Sequence, residues 1–169
     1  MQTRLLYLLL LAVSLFLVQC RKEKTPAGPE TDAALFAKAQ SLNGFAYYQD
    51  NSQIHRSSPQ SAHKAFFRVR FNVIAQAALT DSGKLPQGGV FPAGSLIVKE
   101  LQNDSLGTQP AGFAVMEKLP GDINQQQGWV WAEYKLNGSG YVISEKGAIC
   151  TGCHSNNGRD DVRVFNLFP

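Results

Sequence analysis

The chain has 169 residues, 44% of them apolar, and a formal charge of +3. Its lysines and arginines are scattered, without a basic stripe interleaved with aromatics, so nothing recommends a nucleic-acid partner and none is expected. Of its three cysteines, Cys150 and Cys153 are too close in sequence to staple a domain together, so no disulfide framework is expected.

Arg4 precedes a nearly unbroken apolar run over 5–18, short for a membrane span and suited to the hydrophobic region of an export signal. Leu17-Val18-Gln19-Cys20 then has the form of a lipoprotein processing box, with Gln19 where a small residue is usual. Residues 1–19 are therefore expected to be a signal peptide and Cys20 the lipid-bearing residue. This sets the protein on the periplasmic side of a bacterial membrane, anchored through its N-terminus. The alternative, an uncleaved helical anchor, leaves the rest on the same side. Loss of Arg4 with the leader lowers the charge from +3 to +2. Residues 20–30 are charged and proline-bearing with no apolar periodicity, the composition of a tether. Residues 31–169 then form one domain, large enough to bury a core.

Thr31 or Asp32 can cap a helix that gathers Leu35, Phe36, Ala39 and Leu42 on one side and stops at Asn43-Gly44. Residues 49–62, with His55 among them, read as loop. In 66–72, Phe67, Val69 and Phe71 alternate with Arg68 and Arg70, the period-two pattern of a half-buried strand. A short helix over 73–79 and a Gly/Pro-rich loop over 80–95 lead to 96–101, β-branched and too short for a helix. Strands are predicted over 112–119, 128–136 and 141–144, the last two joined by the turn Asn137-Gly138-Ser139-Gly140. Short turns between strands favour antiparallel pairing, so the fold class is α+β: a mainly antiparallel sheet with a few short helices and a C-terminal attachment segment.

That segment is Cys150-Thr151-Gly152-Cys153-His154. Two thiols one helical turn apart can add to the two vinyl groups of haem, while the adjacent histidine reaches the iron from the same side. Cys-X-X-Cys alone would also suit a dithiol redox site or half a zinc site. The histidine and the export signal favour one covalent c-type haem, with His154 as axial ligand. The cysteines then resolve into one lipid site and one haem pair, leaving no disulfide.

Only fifteen residues follow His154 and none is methionine; Met116, the only methionine besides the initiator, lies in a predicted strand and reads as core. His55 and His63 are the remaining candidates for a sixth ligand, but their polar surroundings read as surface loop. The expectation is five-coordinate iron with one face open to a small ligand.

In 96–101, Lys99 shares a face with Ile97 and Leu101, and Glu100 shares the other with Leu96 and Val98. Either Lys99 snorkels at a solvent edge, or it points into the haem pocket, where a desolvated amine becomes a nucleophile able to bond to the macrocycle.

Phe91-Pro92-Ala93-Gly94-Ser95-Leu96-Ile97-Val98-Lys99-Glu100-Leu101, the aromatic strand from Trp129 to Tyr134, and the haem motif followed by Arg159-Asp160-Asp161 and Phe165 together resemble the cytochrome P-460 family over roughly 64–168. The resemblance implies a predominantly β fold, a five-coordinate haem with His154 proximal, and Lys99 as the lysine cross-linked to a haem meso carbon. Members oxidise hydroxylamine, with nitric oxide as an intermediate or co-substrate, and are often dimers, so a homodimer is an expectation. Their relatives, the β-type cytochromes c′, lack the cross-link and bind nitric oxide or carbon monoxide behind aromatic residues. Hydroxylamine-oxidising members use a distal carboxylate as proton acceptor, and alignment sets Ala114 there, with Glu117 facing the other way. Phe91 is a candidate aromatic lid over the iron, or a core residue.

Three functions follow as expectations. The first is a lipid-anchored mono-haem cytochrome acting on small nitrogen oxides and passing electrons to a periplasmic electron-transfer cytochrome. The second is a non-catalytic nitric oxide or carbon monoxide binder, and the third a simple electron carrier, which requires six-coordinate iron.

Overall fold

The structure is a computed structural model and describes residues 30–41, 43–50, 52–138, 140–155 and 158–166. The signal peptide, Cys20 and Leu42 lie outside the described residues. Among those described, no helix is long and apolar enough to cross a membrane.

Helix α1 (Asp32–Gln40) starts at Thr31, whose Oγ1 accepts from the Ala34 amide at 3.2 Å, and turns Leu35, Phe36 and Ala39 inward. Glu30, expected to end the tether, is instead held to the domain. Its amide donates to Asp122 and its carboxylate pairs with Lys38 at 2.7 Å.

Among the described residues, seven strands make one antiparallel sheet: β1 (Phe45–Tyr47), β2 (His55–Arg56), β3 (Phe66–Asn72), β4 (Leu96–Gln102), β5 (Gly112–Lys118), β6 (Trp129–Asn137) and β7 (Gly140–Lys146). The path runs β1-β3-β4-β5-β6-β7, and β2 shares with β1 the outer edge of β3. The expected α+β class is thus observed. Strands β1 and β2 were not legible, because two or three residues are too few to show a period, and β3 pairing alone makes them extended. Helix α2 (Val73–Ala77) is capped by Asn72, whose Oδ1 accepts from the Ala75 amide at 3.0 Å. Helix α3 (Ala148–His154) carries the Cys-X-X-Cys-His run.

Strict alternation gives the sheet two apolar faces. One buries Leu96, Val98, Phe113, Val115, Val130, Ala132 and Tyr134 beneath α1. The other buries Phe67, Val69, Phe71, Ile97, Met116, Trp129 and Trp131 beneath the 85–91 loop and the segment Val162 to Phe165. Glu100 belongs to the α1 face, where it explains its own burial: it pairs with Arg68, its direct cross-strand partner, and with Arg70 at 2.6 Å. Arg70 Nε lacks the alignment of a hydrogen bond there, but the Nη atoms donate to the carbonyls of Ala39 (2.8 Å) and Ser41 (2.9 Å) at the end of α1. Buried charges on this face thus tie strand to helix. Gly112 permits the close approach of β5 to β6, since a Cβ there would meet the Tyr134 carbonyl oxygen at 2.1 Å.

Candidate functional site

The second face of the sheet does not close completely. Between it, α3 and the loop 57–64 lies a cleft of 630 Å³. Its apolar lining includes Phe67, Val69, Ile97, Met116, Trp131 and Val164, while Lys99, Ala114, Glu133, His63 and the motif residues Cys150, Cys153 and His154 supply the chemistry.

The chain reaches α3 from β7 through Gly147, whose φ of 60° suits glycine at that corner. Cys150 is half-buried, Cys153 is exposed, and both are free thiols. Burial, reinforced by the charges of Glu133 and Glu145, pushes the Cys150 thiol up to about 11. A reactive dithiol centre has a lowered thiol, so the shift at Cys150 lends no support to a thioredoxin-like couple. Nor does a zinc site complete itself, since no cluster of three or more His, Cys, Asp or Glu is poised for a metal among the described residues.

His154 packs edge-on to Trp131, with ring centroids 4.9 Å apart, and its Nδ1 lies 2.9 Å from the Asp161 carbonyl oxygen. A carbonyl only accepts, so Nδ1 carries the proton and Nε2 is left with its lone pair. Burial holds the imidazole below its ordinary value, against the raising effect of the Asp161 hydrogen bond, and so favours the neutral, metal-binding form.

The Asp161 carbonyl is itself held by a built turn. Asp160 and Asp161 both adopt positive φ, 50° and 67°, an unfavourable conformation that needs support. Asp160 supplies it, accepting from Lys118 Nζ at 2.7 Å and from the Phe91 amide at 2.8 Å. Arg159 bonds Asp81 at 2.5 Å and the Leu85 carbonyl. Arg159-Asp160-Asp161 is therefore the brace behind His154.

Lys99 stands on interior strand β4 and lines the cleft, so the solvent-edge alternative is corrected. Its Nζ lies 4.2 Å from the Phe67 ring centroid. Burial pushes the amine down to about 8, against the raising effect of Glu133 and with help from Arg163.

Across the sheet, Lys99 pairs with Ala114 and Ala114 with Glu133, a row of three on the cleft face. Glu117 points to the other face, where it pairs with Lys38 at 2.8 Å. Sequence reading missed Glu133. Its signal was a carboxylate in the apolar alternation Trp129, Trp131, Glu133.

Glu133 Oε2 lies 2.6 Å from His63 Nδ1, and Ser144, on the opposing strand at a register shift, donates to Oε1 at 3.0 Å. Burial alone would raise this carboxyl, but the His63 hydrogen bond and charge outweigh it and hold Glu133 below the ordinary range. His63, read from sequence as a surface-loop residue, is thus corrected to a lining residue of the cleft. A single histidine amid polar residues carries no periodicity from which that orientation could be read.

The other sequence candidates fall elsewhere. Phe91 is stacked in the aromatic core with Phe71 and Phe165, at 6.3 and 6.4 Å, and is not among the cleft residues. Met116, 6% exposed, packs in the same core and contributes only apolar lining to the cleft. His55 packs 6.0 Å from Phe67, on the outer strand β2.

The donor set fits haem. Two thiols stand one helical turn apart beside an apolar slot, an imidazole presents its metal-binding nitrogen with the other nitrogen braced, and a buried amine faces the same space. The family model for cytochrome P460 matches residues 45–166, covering the whole sheet, α3 and the brace behind His154. Comparison with curated proteins and with solved structures gave no significant match. With a match over most of its length, the chain belongs to the cytochrome P460 family and is a haem cytochrome of that family.

Proposed function

We propose that the protein is an exported cytochrome, lipid-anchored through Cys20, with one haem c bound covalently by Cys150 and Cys153 and axially by His154, and that it acts on small nitrogen oxides. The observation that carries this reading is that Lys99, fifty-one positions before Cys150 in the chain, lines the same cleft as Cys150, Cys153 and His154. Haem supplies the iron that binds the nitrogen oxide and the means to take up electrons one at a time.

The protein's own groups do the rest. Asp161 orients His154, and the apolar lining keeps bulk water from the reacting centre. Carrying hydroxylamine to nitric oxide releases three electrons and three protons; the electrons would pass to a periplasmic electron-transfer cytochrome and the protons to solvent. Lys64 and Arg163 line the cleft as cations suited to haem propionates. Lys99 would tune the macrocycle through an Nζ to meso-carbon bond. That bond replaces one N–H and one C–H, so the two hydrogens must pass to an oxidant such as dioxygen or a peroxide.

The test is the absorption spectrum of the purified ferrous protein. A spectrum displaced from that of an ordinary c-type cytochrome, reverting in Lys99→Ala, is expected. An ordinary spectrum in both proteins would remove the cross-link.

A second reading, nitric oxide binding without turnover, is favoured by the row Lys99, Ala114, Glu133. Position 114 offers no proton acceptor, and both carboxylate oxygens of Glu133 are engaged by His63 and Ser144. Steady-state oxidation of hydroxylamine with an artificial electron acceptor would eliminate this reading; binding of nitric oxide without such turnover would establish it.

A further inference from the structure

His63 and His154 both line the cleft with their rings near one another, an arrangement that the haem motif does not require. Their ring centroids are 6.3 Å apart with an interplanar angle of 72°. A metal–imidazole bond is about 2 Å long and a ring centroid lies roughly 1 Å beyond the bonded nitrogen, so two imidazoles on opposite sides of one iron have centroids about 6 Å apart. Each ring contains the axis of its own bond to the metal, so any angle between the planes is compatible with shared ligation.

The hydrogen bonding of the two rings is also matched. His154 spends Nδ1 on the Asp161 carbonyl oxygen and His63 spends Nδ1 on the Glu133 carboxylate. Each acceptor takes the hydrogen bond from the proton on Nδ1, so that in the neutral ring, the form that binds a metal, Nε2 carries the lone pair; this is the second-shell pattern of a ligating histidine. The support behind His63 is built rather than incidental. Glu133 sits on interior strand β6 with its side chain 11% exposed, and it is steadied in turn by Ser144.

We infer that His63 is the second axial ligand of the resting iron, opposite His154, oriented by Glu133, and that a small ligand must displace it. The inference rests on the proposed haem site and replaces its open iron face with a capped one. Displacement is feasible because His63 comes from the 57–65 loop, exposed at Ser58, Pro59 and Gln60, and not from the sheet. The cap would exclude weak ligands and water from the iron while letting strong ones such as nitric oxide or carbon monoxide through.

The experiment uses the full-length haem-loaded protein. In the wild type, the ferric electron paramagnetic resonance and absorption spectra are expected to be low-spin. Carbon monoxide binding to the ferrous form should reach a rate independent of carbon monoxide concentration, set by departure of His63. His63→Ala should become high-spin, bind carbon monoxide at least tenfold faster with no plateau, and return to low-spin on adding imidazole. Glu133→Gln should keep a low-spin signal but raise the plateau rate. High-spin wild-type iron would overturn the inference, leaving two rings that merely pack edge to face. Low-spin iron unchanged in His63→Ala would overturn it in favour of another sixth ligand. If His63→Ala fails to load haem, the wild-type plateau decides alone. Loss of covalent haem from Cys150→Ser/Cys153→Ser tests the site itself; haem retained in that variant would sink the parent reading independently of His63.

Discussion

Lys118 Nζ lies 2.7 Å from Asp160 Oδ1, with the two side chains only 7% and 10% exposed. The pair joins the end of β5 to the turn whose Asp161 carbonyl orients His154, so a charge on the sheet sets the imidazole behind the proposed haem. Removing one partner of a buried pair leaves the other charge uncompensated.

Asp160→Asn should therefore lose about 3 kcal/mol of unfolding free energy, the lower end for breaking a buried ion pair from one side. Urea denaturation of the haem-loaded protein measures it. Because the turn braces His154, resonance Raman spectra of the ferrous variant should also show a shifted iron–histidine stretch. An unchanged stretch together with the stability loss would assign Asp160 a purely structural role.

On the opposite face, Phe36 of α1 packs on Tyr141 at 4.1 Å and Tyr134 at 5.2 Å. Phe36→Ala should cost about 3–5 kcal/mol in chemical unfolding, through lost contact and a cavity. The haem spectrum should stay as in wild type, since the sheet separates α1 from the cleft. A spectral change would contradict that separation.

Glu100 and Arg70 are each 2% exposed, and Arg68 takes the other oxygen of the same carboxylate. Glu100→Gln should destabilise by about 3 kcal/mol because two guanidinium groups lose their counter-charge. The double variant Arg70→Met/Glu100→Leu should lose less than the sum of the two single changes, by about 1 kcal/mol or more. Strict additivity in a double-mutant cycle would show that the ion pair is not the coupling.

Lys99 carries the pH dependence. Burial, opposed by Glu133, lowers its amine to about 8, and only the neutral amine is a nucleophile. Below that pH most of the amine is protonated, above it most is free. Maturation of haem-loaded but uncross-linked protein should thus proceed faster at pH 9 than at pH 7, with the midpoint of the rate profile near 8. Following the ferrous spectrum during peroxide treatment at each pH checks this, and a rate that is flat or falls with pH would rule out Lys99 as the attacking group.

The sequence alone determined what depends on local spacing. Alternation placed β3 to β6 within a residue or so of their observed ends and set Lys99 beside Ile97 and Leu101, because side-chain period two follows from strand geometry itself. The cysteine–histidine run specified a haem motif for the same reason, its spacing being its chemistry. What it could not determine were relationships between residues distant in the chain. The edge strands β1 and β2 exist through pairing with β3, and Glu100 is buried because Arg68 and Arg70 arrive from the neighbouring strand. Whether Lys99 met solvent or the cleft depended on β4 being interior. Phe91 entered the aromatic core because Phe71, Trp129 and Phe165, distant in the chain, come together around its ring. His63 and Glu133, seventy residues apart, became partners only when the loop folded over β6. No local pattern encodes such a meeting; it is decided by which surfaces the closed sheet leaves facing one another.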